Sequence, residues 1–189
     1  MAHGQPFPPL SRLLHWIMAV MILAMLFIGV GMVTSLDHYK TLVAIHRPLG
    51  AAILALAAVR LINRLLNPPP RLPPAMPARL KLVAGLSHIA LYALMIAVPL
   101  VGWAMLSAGG YPAVLYGALS LPPIAPHSAP LFAALRQTHT VLALALFAAF
   151  LAHLGAALLH ALVFRDGVFE SMASLSPGTK SRRPDELSP

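Results

Sequence analysis

The chain has 189 residues, of which 59% are apolar and 10% charged; it has no cysteine and a formal net charge of +8. So few charges cannot clothe a water-soluble globule, in which about a quarter of residues are charged, and the lack of cysteine excludes disulfides, thiolate metal sites and cofactors attached through sulfur. The basic residues lie outside the apolar runs, which points to membrane topology and anionic headgroups, not to nucleic acid.

Four apolar runs follow one another. The sequence predicts helices over about 10–34, 42–65, 80–106 and 135–164, each longer than the roughly 20 residues that cross a hydrocarbon layer. The first lacks a basic leader and a small-residue cleavage site, so it reads as a retained helix and not a signal peptide. A short polar connection, Ser35 to Lys40, follows it. The second connection, Asn67 to Pro77, is rich in proline, which ends a helix and keeps the chain extended. The third, Ser107 to Pro130, is long and reads as an ordered cap over one face. Residues 175–189 form a polar tail expected to be disordered. The fold class is therefore all-α, an integral membrane four-helix bundle, with residues 1–174 as one domain.

Four spans put both termini and the proline-rich linker on one side. That side holds Arg12, Arg60, Arg64, Arg71, Arg79, Lys81, Arg165, Lys180, Arg182 and Arg183; the other holds Lys40, Arg47 and Arg136. The asymmetry predicts termini on the cytoplasmic side.

Nine histidines are many for so apolar a chain, and six fall within the helices: His15, His46, His88, His139, His153 and His160. Ionisable groups at membrane depth are costly and point to function, although a lone one also serves as an interhelical hydrogen bonder. His139 and His153 are 14 residues apart. In a helix that step is about 40° short of four turns and roughly 21 Å long. The two thus share a face at opposite membrane depths, a spacing suited to two stacked hemes and not to one ion site. Alternating helix direction pairs His15 with His153 near the terminal side and His46 with His139 near the other. Each pair joins two helices, as a bis-histidine heme requires.

The same step from His15 reaches Gly29, where a missing side chain would admit a porphyrin or serve helix packing. From His46 it reaches Arg60, placed to meet heme propionates or to snorkel to the headgroups. Arg47 and Arg136 flank the other pair, as propionate partners or interfacial anchors. Gly50, Gly102 and Gly155 clear room for a ring or for packing. His88 and His160 exceed the four ligands two hemes need; one replaces a terminal-side ligand, or they bond a propionate or a redox substrate, and histidine exchanges protons near neutral pH. Trp16 and Trp103 fit the interfacial aromatic belt.

These residues resemble the bacterial cytochrome b561 family of small di-heme membrane cytochromes. The cues are Leu14-His15-Trp16; Ile45-His46 with Gly50; Val59-Arg60-Leu61 with Arg64 and Pro68; Ser87-His88 with Tyr92, Pro99 and Gly102; and His139, His153 and His160. The resemblance implies two non-covalent b-type hemes on the paired histidines and electron exchange with ubiquinone in a bacterial inner membrane. Some members are similar to superoxide oxidases, in which superoxide or another periplasmic donor or acceptor serves one heme and ubiquinone the other. By that analogy His160, Arg79 and Lys81 are the quinone-side candidates. Two other readings share parts of this pattern: a heme-bearing anchor of a larger dehydrogenase or hydrogenase, and a histidine-rich metal transporter.

Overall fold

A computed structural model describes residues 6–70, 76–117 and 119–173. Four helices dominate it: α1 (Pro9–Thr34), α2 (Tyr39–Leu66), α3 (Ala78–Ala108) and α4 (Ala129–Leu159). All four are long and apolar enough to cross a membrane, and they form a membrane four-helix bundle. Arg71, Lys180, Arg182 and Arg183 lie outside the described residues, and so does the expected disordered tail.

The buried centre is thin: Met18, Ile22, Ile53, Ala57, Met95 and Leu146 meet at mid-bundle. Large apolar side chains such as Phe27 and Val33 are 71% and 83% exposed, an arrangement that suits lipid as solvent, since hydrocarbon penalises polar and not apolar surface.

Two helices begin three or more residues before their apolar runs do. α2 starts at Tyr39, within the polar connection. α4 starts at Ala129, because Ser128 caps it by accepting from the Leu131 N–H and Pro130 falls in the first turn. Proline needs no partner for a missing N–H at that position, so a residue that elsewhere breaks a helix here opens one. Pro48 and Pro99 lie inside α2 and α3, where each removes one rung from the helical ladder.

Consecutive helices are neighbours. α4 packs closely along α3, but its backbone stands off from α1 and α2. At one end, the loop face, the α3–α4 connection forms an antiparallel hairpin of β1 (Ala113–Tyr116) and β2 (Leu119–Leu121), an addition to the all-α expectation. It is tied down as a cap: Trp103 Nε1 donates to Pro122 O at 2.9 Å, Ile124 N to Ser107 Oγ at 3.1 Å, and Ser128 N to Ala108 O at 2.9 Å.

The other end is the terminal face. There α4 widens into a π-helical turn, His160–Phe164, then reverses at Arg165 into a short helix, α5 (Val168–Ala173). Phe7 N donates to Ser171 O at 3.0 Å and Trp16 Nε1 to Met172 O at 3.3 Å, which ties α1 and the residues before it to α5.

Candidate functional site

Two histidine pairs bridge the gap between α4 and its distant neighbours. The rings of His46 (α2) and His139 (α4) have centroids 6.1 Å apart. Those of His15 (α1) and His153 (α4) are 6.3 Å apart. Two imidazoles facing each other across one metal, with bonds of about 2 Å and about 1.2 Å more from each nitrogen to its ring centre, have centroids roughly 6–6.5 Å apart. The first pair lies toward the loop face and the second toward the terminal face.

The loop-face pair opens on an apolar cleft lined by Ile22, Met25, Leu26, Gly50, Ile53, Met95, Val98 and Leu146. His139 Nδ1 lies 3.1 Å from Val98 O. That bond places the proton on Nδ1 and leaves Nε2 bare, the state in which a histidine binds metal. Gly102 gives the ring room, since a Cβ there would come within 3.1 Å of His139 Cε1. His46 Nδ1 is buried without a hydrogen-bond partner among the described residues, and orphaned buried polar atoms are uncommon unless something else engages them. Among the described residues, a Cβ added at Gly50 would meet Met25 at an ordinary 3.7 Å, and Cβ atoms added at Gly29 and Gly155 would meet nothing within 4 Å. Arg47 is half-buried beside His46, and Arg136 is exposed one turn from His139.

The terminal-face set is more crowded. His88 joins it, with its ring 5.6 Å from that of His153. Its Nδ1 bonds to Ala84 O at 2.7 Å, which also leaves Nε2 bare. Arg60 Nη2 lies 2.8 Å from His15 Nδ1. Arg60 and Arg64 both stand 5.6 Å from the ring centre of Tyr92. Asn63 donates to Ser11 Oγ at 2.8 Å and Asn67 to Asn63 Oδ1 at 3.1 Å, lining a polar cleft beside the two arginines. Sequence reasoning did not single out this polar set. It also missed the guanidinium of Arg12, whose Nε and Nη1 are buried without a partner among the described residues. The signal was there: Arg12 is one turn from His15.

At the end of α4, His160 is bonded to Asp166, Nδ1 to Oδ2, at 2.7 Å; the sequence reading gave Asp166 no role. Arg79 is exposed on the first turn of α3, and Lys81 is half-buried two residues on. They share the terminal face with His160.

Among the described residues, no three or more His, Asp or Glu side chains converge as a metal-ion site. A porphyrin iron asks less of the protein, two axial ligands and a flat apolar slot. The paired rings, the standing-off of α4 and the apolar cleft fit that group. Residues 6–174 match the sequence profile of prokaryotic cytochrome b561.

The chain belongs to the prokaryotic cytochrome b561 family. Cytochrome b561 homolog 2 of Escherichia coli (strain K12) is 28% identical over 116 residues, which cover 60% of this chain and 62% of that relative. The chain thus spans less than two thirds of the length of the curated relative. Membership in this heme-b cytochrome family, with four helices long and apolar enough to cross a membrane, supports a multi-pass membrane protein.

Proposed function

We propose that the chain carries electrons across a bacterial cytoplasmic membrane through two b-type hemes, held by His46 with His139 and by His15 with His153, and exchanges them with ubiquinone at the terminal face. The observation that carries this reading is the pair of histidine bridges spanning the gap at opposite ends of α4. When bound, heme supplies a one-electron couple at each depth.

The chain's own residues do the rest. The bond from His139 to Val98 O fixes that ring's tautomer and orientation. Met18, Ile22, Ile53 and Met95 keep water from the mid-bundle region that separates the two sites. Arg12 and Arg60 offer guanidinium donors to the acid groups of the terminal-face heme, and Arg47 and Arg136 to those of the other. The excess of Lys and Arg on the terminal side supports a cytoplasmic location for it. His160, with Arg79 and Lys81 on the same face, serves the quinone. Among the basic residues of the loop face, Arg47 and Arg136 favour an anionic donor such as superoxide.

Anaerobic mixing of reduced protein with a short-chain ubiquinone tests this. Oxidation of the heme bands in step with quinol formation is expected. A reduced protein that stays reduced contradicts the quinone assignment. Exposure of oxidised protein to a superoxide-generating system should reduce the hemes if superoxide is the donor, and an unchanged spectrum would remove that donor.

A further inference from the structure

The end of α4 departs from helical geometry three times within eight residues. The α-helix widens to a π-turn at His160–Phe164. Arg165, which is not a glycine, takes a left-handed conformation at φ 49°, and Gly167 does so at φ 81°. Asp166, between them, returns to His160. Arg165 N closes the turn on His160 O at 2.8 Å.

These departures have one geometric result. Had the α-helix continued, Asp166 would lie about 120° around the axis from His160 and roughly 9 Å along it, out of reach. The wider turn and the reversal bring its carboxylate to 2.7 Å from His160 Nδ1. The carboxylate is gripped on its other oxygen too, since Val168 N donates to Oδ1 at 3.2 Å. π-turns and left-handed non-glycine residues concentrate at functional sites because the chain would otherwise avoid them.

We propose that Asp166 is a positioning residue that fixes the protonation pattern of His160, holding a proton on Nδ1 so that Nε2 handles the proton of a quinone. This rests on the quinone reading given above. A carboxylate only accepts hydrogen bonds, so the ring nitrogen facing it must donate. The exchangeable site is then Nε2, on the ring edge away from Asp166. The side chain of His160 is 18% exposed and that of Asp166 25%, so the pair is held firmly yet remains within reach of water at the terminal face.

Reduction of a quinone to a quinol takes two electrons, which bound heme would supply one at a time, and two protons. Doubly protonated His160 passes its Nε2 proton to a quinone oxygen, keeps the Nδ1 proton facing Asp166 and is reprotonated at Nε2 from solvent, which also supplies the second proton. In the opposite direction, bare Nε2 accepts the hydrogen of a quinol hydroxyl.

The test uses the full, heme-loaded chain and the variants D166N, D166E and H160Q. Nitrogen-15 spectra of histidine-labelled protein, with His160 assigned by its loss in H160Q, should show Nδ1 protonated in the parent and the proton moved to Nε2 in D166N. Oxidation of reduced protein by saturating ubiquinone-1 should slow about ten-fold or more in D166N, within the range of acid–base contributions, with unchanged heme content and substantial recovery in D166E. The inference is overturned if Nδ1 of the parent carries no proton, if D166N reacts at the parental rate while H160Q is slow, or if D166N loses heme along with rate, which would make the contact structural. Parental rates in H160Q would instead refute His160 as the quinone-side residue, and the role of Asp166 would fall with it.

Discussion

Arg60 reaches from α2 to α1 and sets its guanidinium 2.8 Å from His15 Nδ1. Guanidinium only donates, so His15 accepts there and, as a neutral ring, carries its proton on Nε2. Were His15 to hold the heme iron through Nε2, its proton would sit on Nδ1, and Arg60 would have to let go. The proposed heme supplies the reason for release: a carboxylate partner, which a guanidinium prefers to a neutral ring nitrogen.

Replacing Arg60 with Leu should thus loosen the terminal-face heme while leaving the other in place. One charge-assisted hydrogen bond contributes about 1.5–3 kcal/mol, or roughly 10- to 150-fold in retention. Transfer of heme to a scavenging apoprotein measures it. Unchanged or tighter retention in R60L would show that Arg60 acts on His15 and not on the heme.

The choice between His15 and His88 as partner of His153 is open to a direct count. The ring separation of 6.3 Å for His15 suits a shared iron, whereas 5.6 Å for His88 is short by about half an ångström. H15A should lose one heme per chain and H88A should keep both. The reverse pattern would transfer the ligand role to His88.

Gly102 tests the loop-face site. A Cβ there would lie 3.1 Å from His139 Cε1 and 3.3 Å from Nδ1, so Gly102→Ala should tilt the ring only slightly and retain heme. Gly102→Leu cannot be accommodated without expelling the ring from its bond to Val98. Heme analysis of G102L should find the loop-face heme gone and the terminal-face heme kept.

Ser107 is buried, donates to Trp103 O at 3.0 Å and accepts from Ile124 N. Ser107→Ala leaves that N–H unsatisfied, at a cost of about 1–3 kcal/mol. The expected result is faster proteolysis within the α3–α4 connection with heme content unaltered. Unchanged proteolysis would mean that Trp103 and Ser128 hold the cap without it.

The four spans were legible because lipid demands long apolar runs, and runs of that length leave little choice of secondary structure. Histidine depth was legible too, since a 14-residue step and alternating helix direction fix height along the bundle. Height does not fix position around it, which is why His88 and His15 could not be separated: both lie at the depth of His153, on different helices. The start of α4 was misplaced by six residues because Pro130 reads as a loop residue until Ser128 is seen to cap the turn it opens. The β1–β2 hairpin is too short to carry an alternating pattern. Asp166 escaped notice because its partnership depends on a π-turn and a left-handed Arg165, neither of which has a sequence signal strong enough to read in advance.

The central claim, two bis-histidine hemes in one chain, is tested most directly by a reduced-minus-oxidised spectrum of the purified protein with heme counted as its pyridine hemochrome. The account predicts two hemes b per chain with low-spin bands. One heme per chain would break one of the two histidine pairs, and a folded protein without any would contradict the account altogether.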